Sequence, residues 1–297
     1  MTGSTGQPAP LRAGAAQVEI TPPRGISVAG NVCTYRPAEF VLDPIYAKAL
    51  VLEAGDVRLC ILSLDLCIVT RQCADEIRER LAEEFGFDPD AVTVHNTQTH
   101  SAPALGHAMR FDRLPDELWW AQGGDDRYPP FAIPRIVEAV RLALEAMRPA
   151  RFGAGSAVDG RHAFNRRWVM RDGTVRQSPM NSPDLLYAEG PADPQVGVLC
   201  VADDDLGLIA MLLHYTCHPA HGLGHSGVSA DWPGAWCDAM RRRRGAHVVP
   251  LVINGCCGNI NPRNPIDPNW KDDHLRMGRG LAETTETMLK RISFGDD

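Results

Sequence analysis

The chain has 297 residues, 44% hydrophobic and 23% charged, enough to bury a large core as one big α/β domain or two intimately packed lobes. Its formal net charge of -7 gives no broad basic field, which argues against nucleic acid or an anionic membrane surface as the main partner. No apolar stretch reaches the length of a membrane span, so no transmembrane segment is expected.

Residues 1–11 are rich in Gly, Ser, Thr and Pro, with no basic n-region or apolar h-region, and are expected to be a flexible tail. A single α/β domain is expected over residues 12–297. Ala13 to Ile20 reads as a strand ended by Thr21-Pro22-Pro23, and Ala47 to Glu53 as a second. A turn at Ala54-Gly55-Asp56 would join the second strand as a hairpin to the apolar run Val57 to Leu66. Cys73 to Phe85 carries Ile77, Leu81 and Phe85 on one face and charges on the other, a helix; Ile133 to Met147 repeats the pattern with Ile136, Val140, Leu144 and Met147. Between them, Leu105 to Pro130 is irregular and rich in Trp, Asp, Gly and Pro, the mark of a functional loop or lid. Trp119 and Trp120 would either line a mouth there or anchor the loop to the core. A second irregular stretch runs from Asn165 to Pro194. Val196 to Val201 and Leu206 to Leu213 then read as a strand pair across Asp203-Asp204-Asp205. Arg241 to Arg244, the one basic run, follows a helical segment from Pro233 and is expected to be a solvated helix end favoured by the helix dipole. Leu275 to Ile292 reads as the last helix.

Nine cysteines make an odd count, and Cys60, Cys67 and Cys200 fall inside apolar strand patterns, where reduced thiols pack as small hydrophobes. That suits a reducing compartment, so a cytoplasmic location is expected.

The fold class is therefore α/β, with mixed β-sheets flanked by helices. Four apolar runs lead directly into polar residues: Val57–Leu66 carries Asp65 near its end, Ala91–Val94 runs into His95 to His100, Leu206–Leu213 into His214 to His221, and Val248–Ile253 into Asn254-Gly255-Cys256-Cys257-Gly258-Asn259. Ligand sites of α/β proteins collect at the ends of buried strands, so the four polar ends point to one pocket. His100, His214, His218 and His221 in it suggest a metal site.

Six segments in collinear order resemble motifs of the N-terminal catalytic domain of neutral/alkaline ceramidases and their bacterial relatives. They are Ala13 to Pro23, Thr97-Gln-Thr-His-Ser-Ala-Pro103, Phe164-Asn-Arg-Arg167, Thr216-Cys-His-Pro219, Ser229-Ala-Asp231 and Gly258-Asn-Ile-Asn-Pro262. The resemblance implies a zinc amidohydrolase of N-acyl bonds and a link to lipid metabolism. In the family motif Thr-His-Thr-His-Ser-Gly-Pro the first histidine binds zinc and the second sits in the substrate site; these positions fall on Gln98 and His100. Glutamine is a poor zinc ligand, so the resemblance implies a rebuilt or lost metal site at that point, with His100 either ligating or acting on the substrate. His218 matches the family's other zinc-binding histidine, and Asp231 an acidic residue suited to orienting a ligating imidazole. Arg166 matches an arginine that reaches the reacting group, where a guanidinium stabilises an oxyanion or holds a carboxylate. Asn261 stands where ceramidases carry a catalytic serine; it can position water or donate to an oxyanion but is no nucleophile. The glutamate and tyrosine that complete the family's zinc shell have no evident counterpart before Asp297, so the chain is expected to lack the family's C-terminal part.

The expectation is a metal-dependent hydrolase, with zinc as cofactor, of an amide or related C–N bond. His218, His100, Gln98 and Asp231 would be the metal group and His100, Arg166 and Asn261 the catalytic residues. Metal-bound water needs no serine nucleophile. With no signal peptide visible, a small polar N-acyl compound is expected as substrate rather than ceramide. A homo-oligomer stays open. The alternatives are a non-catalytic ligand-binding relative without the full metal site, and a metal-free hydrolase using Cys257.

Overall fold

The protein is described from a computed structural model covering residues 9–31, 34–109, 111, 113–222, 224–271 and 273–295. Most of the tail expected for residues 1–11 lies outside these.

Two sheets stack face to face, each covered on its outer side by two helices. The first sheet holds β1 (Arg12–Glu19), β2 (Tyr46–Ala54), β3 (Val57–Leu64) and β4 (Val92–Asn96), in the order β4-β3-β2-β1, with a fifth, two-residue strand, Arg148–Pro149, at the edge beside β1. β2 and β3 form the expected hairpin, with Ala54 opposite Val57, and β4 joins β3 in parallel. The second sheet holds β5 (Arg151–Val158), β6 (Gln195–Ala202), β7 (Leu208–Tyr215) and β8 (Val249–Asn254), in the order β8-β7-β6-β5, with β7 and β8 parallel.

Strand alternation explains the layering. On β2, Ala47, Ala49 and Val51 face the core under α1 (Arg71–Phe85) and α2 (Pro129–Glu145), whereas Leu50 faces the other sheet with Ala13, Val201, Ile209 and Leu251. A third core lies between the second sheet and helices α3 (Asp231–Arg244) and α4 (His274–Leu289), around Trp232, Trp236, Met240 and Leu281. Ser63 Oγ donates to Val252 O at 2.7 Å and ties the sheets together.

The helices agree with their patterns at the faces and differ at the ends. α1 starts two residues early, where Thr70 caps it by accepting from Cys73 N. α2 starts at Pro129, inside the stretch expected to be irregular: two prolines suit the first helical positions, where no N–H is needed. Arg241 to Arg244 end α3 as expected, Arg244 pairing with Glu286. The stretch from Asn165 to Pro194 is not wholly irregular. It folds a three-stranded sheet from 167–170, 175–177 and 185–188, whose mostly exposed residues give no apolar periodicity to read. Every described cysteine is a free thiol, and Cys60, Cys67 and Cys200 are buried as expected. Among the described residues no helix is long and apolar enough to cross a membrane.

Candidate functional site

Three of the four polar strand ends converge. Asn254, the last residue of β8, joins them: its N–H donates to His95 Nε2 at 3.0 Å, its Nδ2 to Thr97 O at 3.1 Å, and its Oδ1 accepts from Cys217 N at 3.3 Å. The fourth end goes elsewhere. Asp65 is fully buried and paired with Lys48.

β4 ends at Asn96, and Gln98 turns the chain with φ of +64°. Strand parity therefore does not extend through this loop, and the Gln98 amide swings to Cys257, whose Sγ donates to Oε1 at 3.2 Å. His100 follows, with its backbone held by Pro219 O at 2.9 Å and by Arg36 Nη2, which donates to His100 O at 2.9 Å. Its ring lies against Gly30, where φ is +96° and an added Cβ would come within 2.7 Å of His100 Cγ. Only glycine fits there.

From the second sheet comes His218, three residues beyond β7. Its N–H donates to Ile260 O at 3.0 Å and its Nδ1 lies 2.9 Å from Cys257 O. His218 Nε2 meets His100 Nε2 at 3.0 Å, with the rings edge to face. A carbonyl only accepts, so His218 Nδ1 carries a proton and its Nε2 presents a lone pair; His100 Nε2 must then be the donor. Burial, reinforced by the neighbouring His218, holds His100 down to about 4, and burial with the charge of Arg166 lowers His218. Both rings are neutral at pH 7.

His95, by contrast, accepts from Asn254 N and serves the scaffold. His214 is not brought to His218, because β7 has ended at Tyr215 and the alternation is broken. Asp231, 1% exposed with φ of +57°, accepts from His221 N at 2.8 Å and Nδ1 at 2.6 Å, so it orients His221 rather than His218. The segment is tied to the His100 loop by Thr99 Oγ1, which donates to Ser229 O at 2.9 Å.

Arg166 directly follows one of two short paired strands and Asn261 lies on the other, with Phe164 opposite Asn261 and Asn165 opposite Ile260. Arg166 N donates to Asn259 O at 2.8 Å, yet Arg166 Nε and Asn261 Oδ1 are buried without a partner among the described residues. Buried polar atoms left unsatisfied are costly and mark a place where a ligand or water completes the set.

Gln98, His100 and His218 line one pocket of about 190 Å³, walled by Gly30, Met109 and Trp120. Trp120 therefore belongs to the mouth, whereas Trp119 packs edge-on against Tyr35 at 5.5 Å. The sequence places Asn254 to Asn259 at a polar strand end of the pocket, but not the bridging role of the Asn254 side chain or the Cys257 carbonyl that holds His218.

The zinc expectation can be tested on the donors. Tetrahedral zinc needs several His, Cys or carboxylate ligands converging. Among the described residues no group of three or more such side chains is placed to hold a metal ion. The two imidazoles bond to each other, Gln98 to Cys257, and Asp231 to His221. This donor set does not fit a resident zinc ion.

No protein-family model matches the chain. Its fold is similar to the crystal structure of neutral ceramidase from Pseudomonas aeruginosa, with a TM-score of 0.75 and 19% identity over 96% of this chain and 45% of that one. A ceramidase complexed with C2 is equally similar, at a TM-score of 0.75 and 19% identity, over 96% of this chain and 44% of its own. The chain thus has a ceramidase-like fold and spans less than half the length of these neighbours.

Proposed function

We propose that this chain uses its ceramidase-like fold to hydrolyse an amide or related C–N bond in a small N-acyl compound. The observation that carries this reading is the contact between His100 and His218 at one pocket, with the charge of Arg166 acting on His218. A substrate entering between the rings meets one lone pair, on His218 Nε2, and one N–H, on His100 Nε2. The first takes the proton of an attacking water, and the His218 imidazolium so formed gives it to the leaving nitrogen; the second stays in place as a hydrogen-bond donor to the reacting group. Because His218 is neutral at pH 7, it needs no prior proton change to act as base. Arg166 supplies positive charge to the tetrahedral oxyanion, and Asn261 positions the carbonyl or the water. No step is assigned to a metal ion, since the donors do not fit one. A cytoplasmic setting belongs to the same reading, supported by the free thiols.

The test is amine release from a panel of short N-acyl compounds with a short-chain ceramide as one arm, with and without chelator, alongside metal analysis. Chelator-resistant release that is lost in His218→Ala supports the reading. No release from any member refutes it, and stoichiometric zinc with chelator-sensitive activity would replace the metal-free version.

A further inference from the structure

Arg166 and Arg167 are consecutive, and the fold treats them oppositely. Arg167 points outward and its Nη2 donates to Glu189 at 2.9 Å. Arg166 forms no ion pair among the described residues, and its Nε is buried without a partner. Other guanidiniums carry partners: Arg127 pairs with Asp125, Arg161 with Asp159, and Arg36, whose Nε is also buried without a partner, bonds the carbonyls of Ala29, His100 and His225 through its Nη atoms. Beside Arg166, Asn261 Oδ1 is equally unpartnered.

The pocket reached by His100 and His218 has the opposite character. None of its described lining residues is Asp, Glu, Lys or Arg, and Arg166 is not among them. At roughly 30 Å³ per water-sized group, its 190 Å³ holds about six such groups. The histidine pair therefore borders a pocket for a short uncharged group, while Arg166, whose charge acts on His218, lies outside that lining without an ion pair among the described residues. Its guanidinium fork has two donor edges. One can meet the oxyanion while the other binds a carboxylate in bidentate fashion.

We infer that the substrate class is an N-acyl amino acid, with a short acyl group in the pocket and the carboxylate of the amine half held by Arg166. This rests on the hydrolase reading above. Hydrolysis breaks the amide C–N bond and forms a bond from water oxygen to the acyl carbon. One water proton passes through His218 to the leaving nitrogen and the other is lost from the product acid, while the His100 N–H only donates a hydrogen bond, so both rings end as they began. The products are a short carboxylic acid and a free amino acid.

The experiment compares an N-acetyl amino acid with its carboxamide and with the analogue lacking the carboxylate, by kcat/KM and by calorimetric Kd. Wild type, Arg166→Met and Arg166→Lys are used, with thermal unfolding confirming that each variant folds. The wild type should favour the acid by about 10-fold or more, the size expected of a charged hydrogen bond. Arg166→Met should bring the ratio to about one, and Arg166→Lys should keep part of it. Equal handling of acid and carboxamide by the wild type overturns the substrate class while the hydrolase reading stands. If no amide is turned over, the hydrolase reading fails and calorimetry decides. An acid preference in Kd that disappears in Arg166→Met upholds the carboxylate site, and equal or absent binding overturns it.

Discussion

Replacing Lys48 by Met should destabilise the fold without touching the histidines. Lys48 Nζ donates to Asp65 Oδ1 at 2.6 Å, and the two side chains are 2% and 0% exposed. Asp65 has one further donor, Tyr46 N at 3.0 Å, so the variant leaves a buried carboxylate with a single backbone bond. Removing one partner of such a pair costs about 3–5 kcal/mol, because the other keeps its desolvation penalty. Burial pushes the Asp65 carboxyl up and the Lys48 ammonium opposes that; without the ammonium the carboxyl holds its proton in the folded state. A folded pKa above the unfolded value gives stability that is present at low pH and lost as pH rises. The deficit of Lys48→Met should therefore be smaller at pH 5 than at pH 8. Urea unfolding followed by circular dichroism at both pH values measures this. The double variant Lys48→Met/Asp65→Leu should recover most of the loss, since an apolar pair of similar volume can replace a buried ion pair. A single variant within about 1 kcal/mol of wild type, or a double variant no better than the single, would refute the reasoning.

Three other outcomes are expected. His218→Ala should lower kcat/KM for amide release by about 10²–10⁴-fold, the range for a lost general acid–base group, and His100→Ala by about 10²–10³-fold, the range for a lost donor; steady-state kinetics on the best panel substrate reads both, and a loss under 10-fold would contradict the pair's role. Gln98→His should add a third imidazole beside His100 and His218 and raise bound zinc toward one per chain, read by elemental analysis; zinc no higher than wild type would mean the loop cannot present it. Burial holds His95 and His162 down to about 4, so they stay neutral in the fold while the unfolded chain takes up protons below its ordinary value of 6.5. Their stability contribution is whole above that value and should be lost as pH falls toward 4, by up to about 3 kcal/mol each; a urea midpoint that stays flat from pH 7 to 4.5 would contradict it.

Local patterns made the layers legible. The strand expected over Ala13 to Ile20 is Arg12–Glu19, the hairpin at Gly55 forms, and Ile77 and Leu81 bury the helix face they were assigned. Burial repeats every second residue in a strand and every three or four in a helix, so each element carries its own record of which side faces the core. The exposed three-stranded sheet within 167–188 leaves no such record and was missed.

Within the site, residue identity and strand placement brought attention to His100, His218, Arg166 and Asn261, but not to whom each side chain answers. One left-handed residue at Gln98 turns its amide to Cys257, and the end of β7 at Tyr215 separates His214 from His218. The buried Asp231 carboxylate takes His221, and Asp65 takes Lys48 across the hairpin. What the sequence by itself determined was the α/β layering and the gathering of polar groups at strand ends, because hydrophobic burial is written in short periodicities. Only the tertiary structure decided that two imidazoles face each other and that Arg166 stands without an ion pair among the described residues, because polar partners are chosen by distance and angle between loops far apart in the chain.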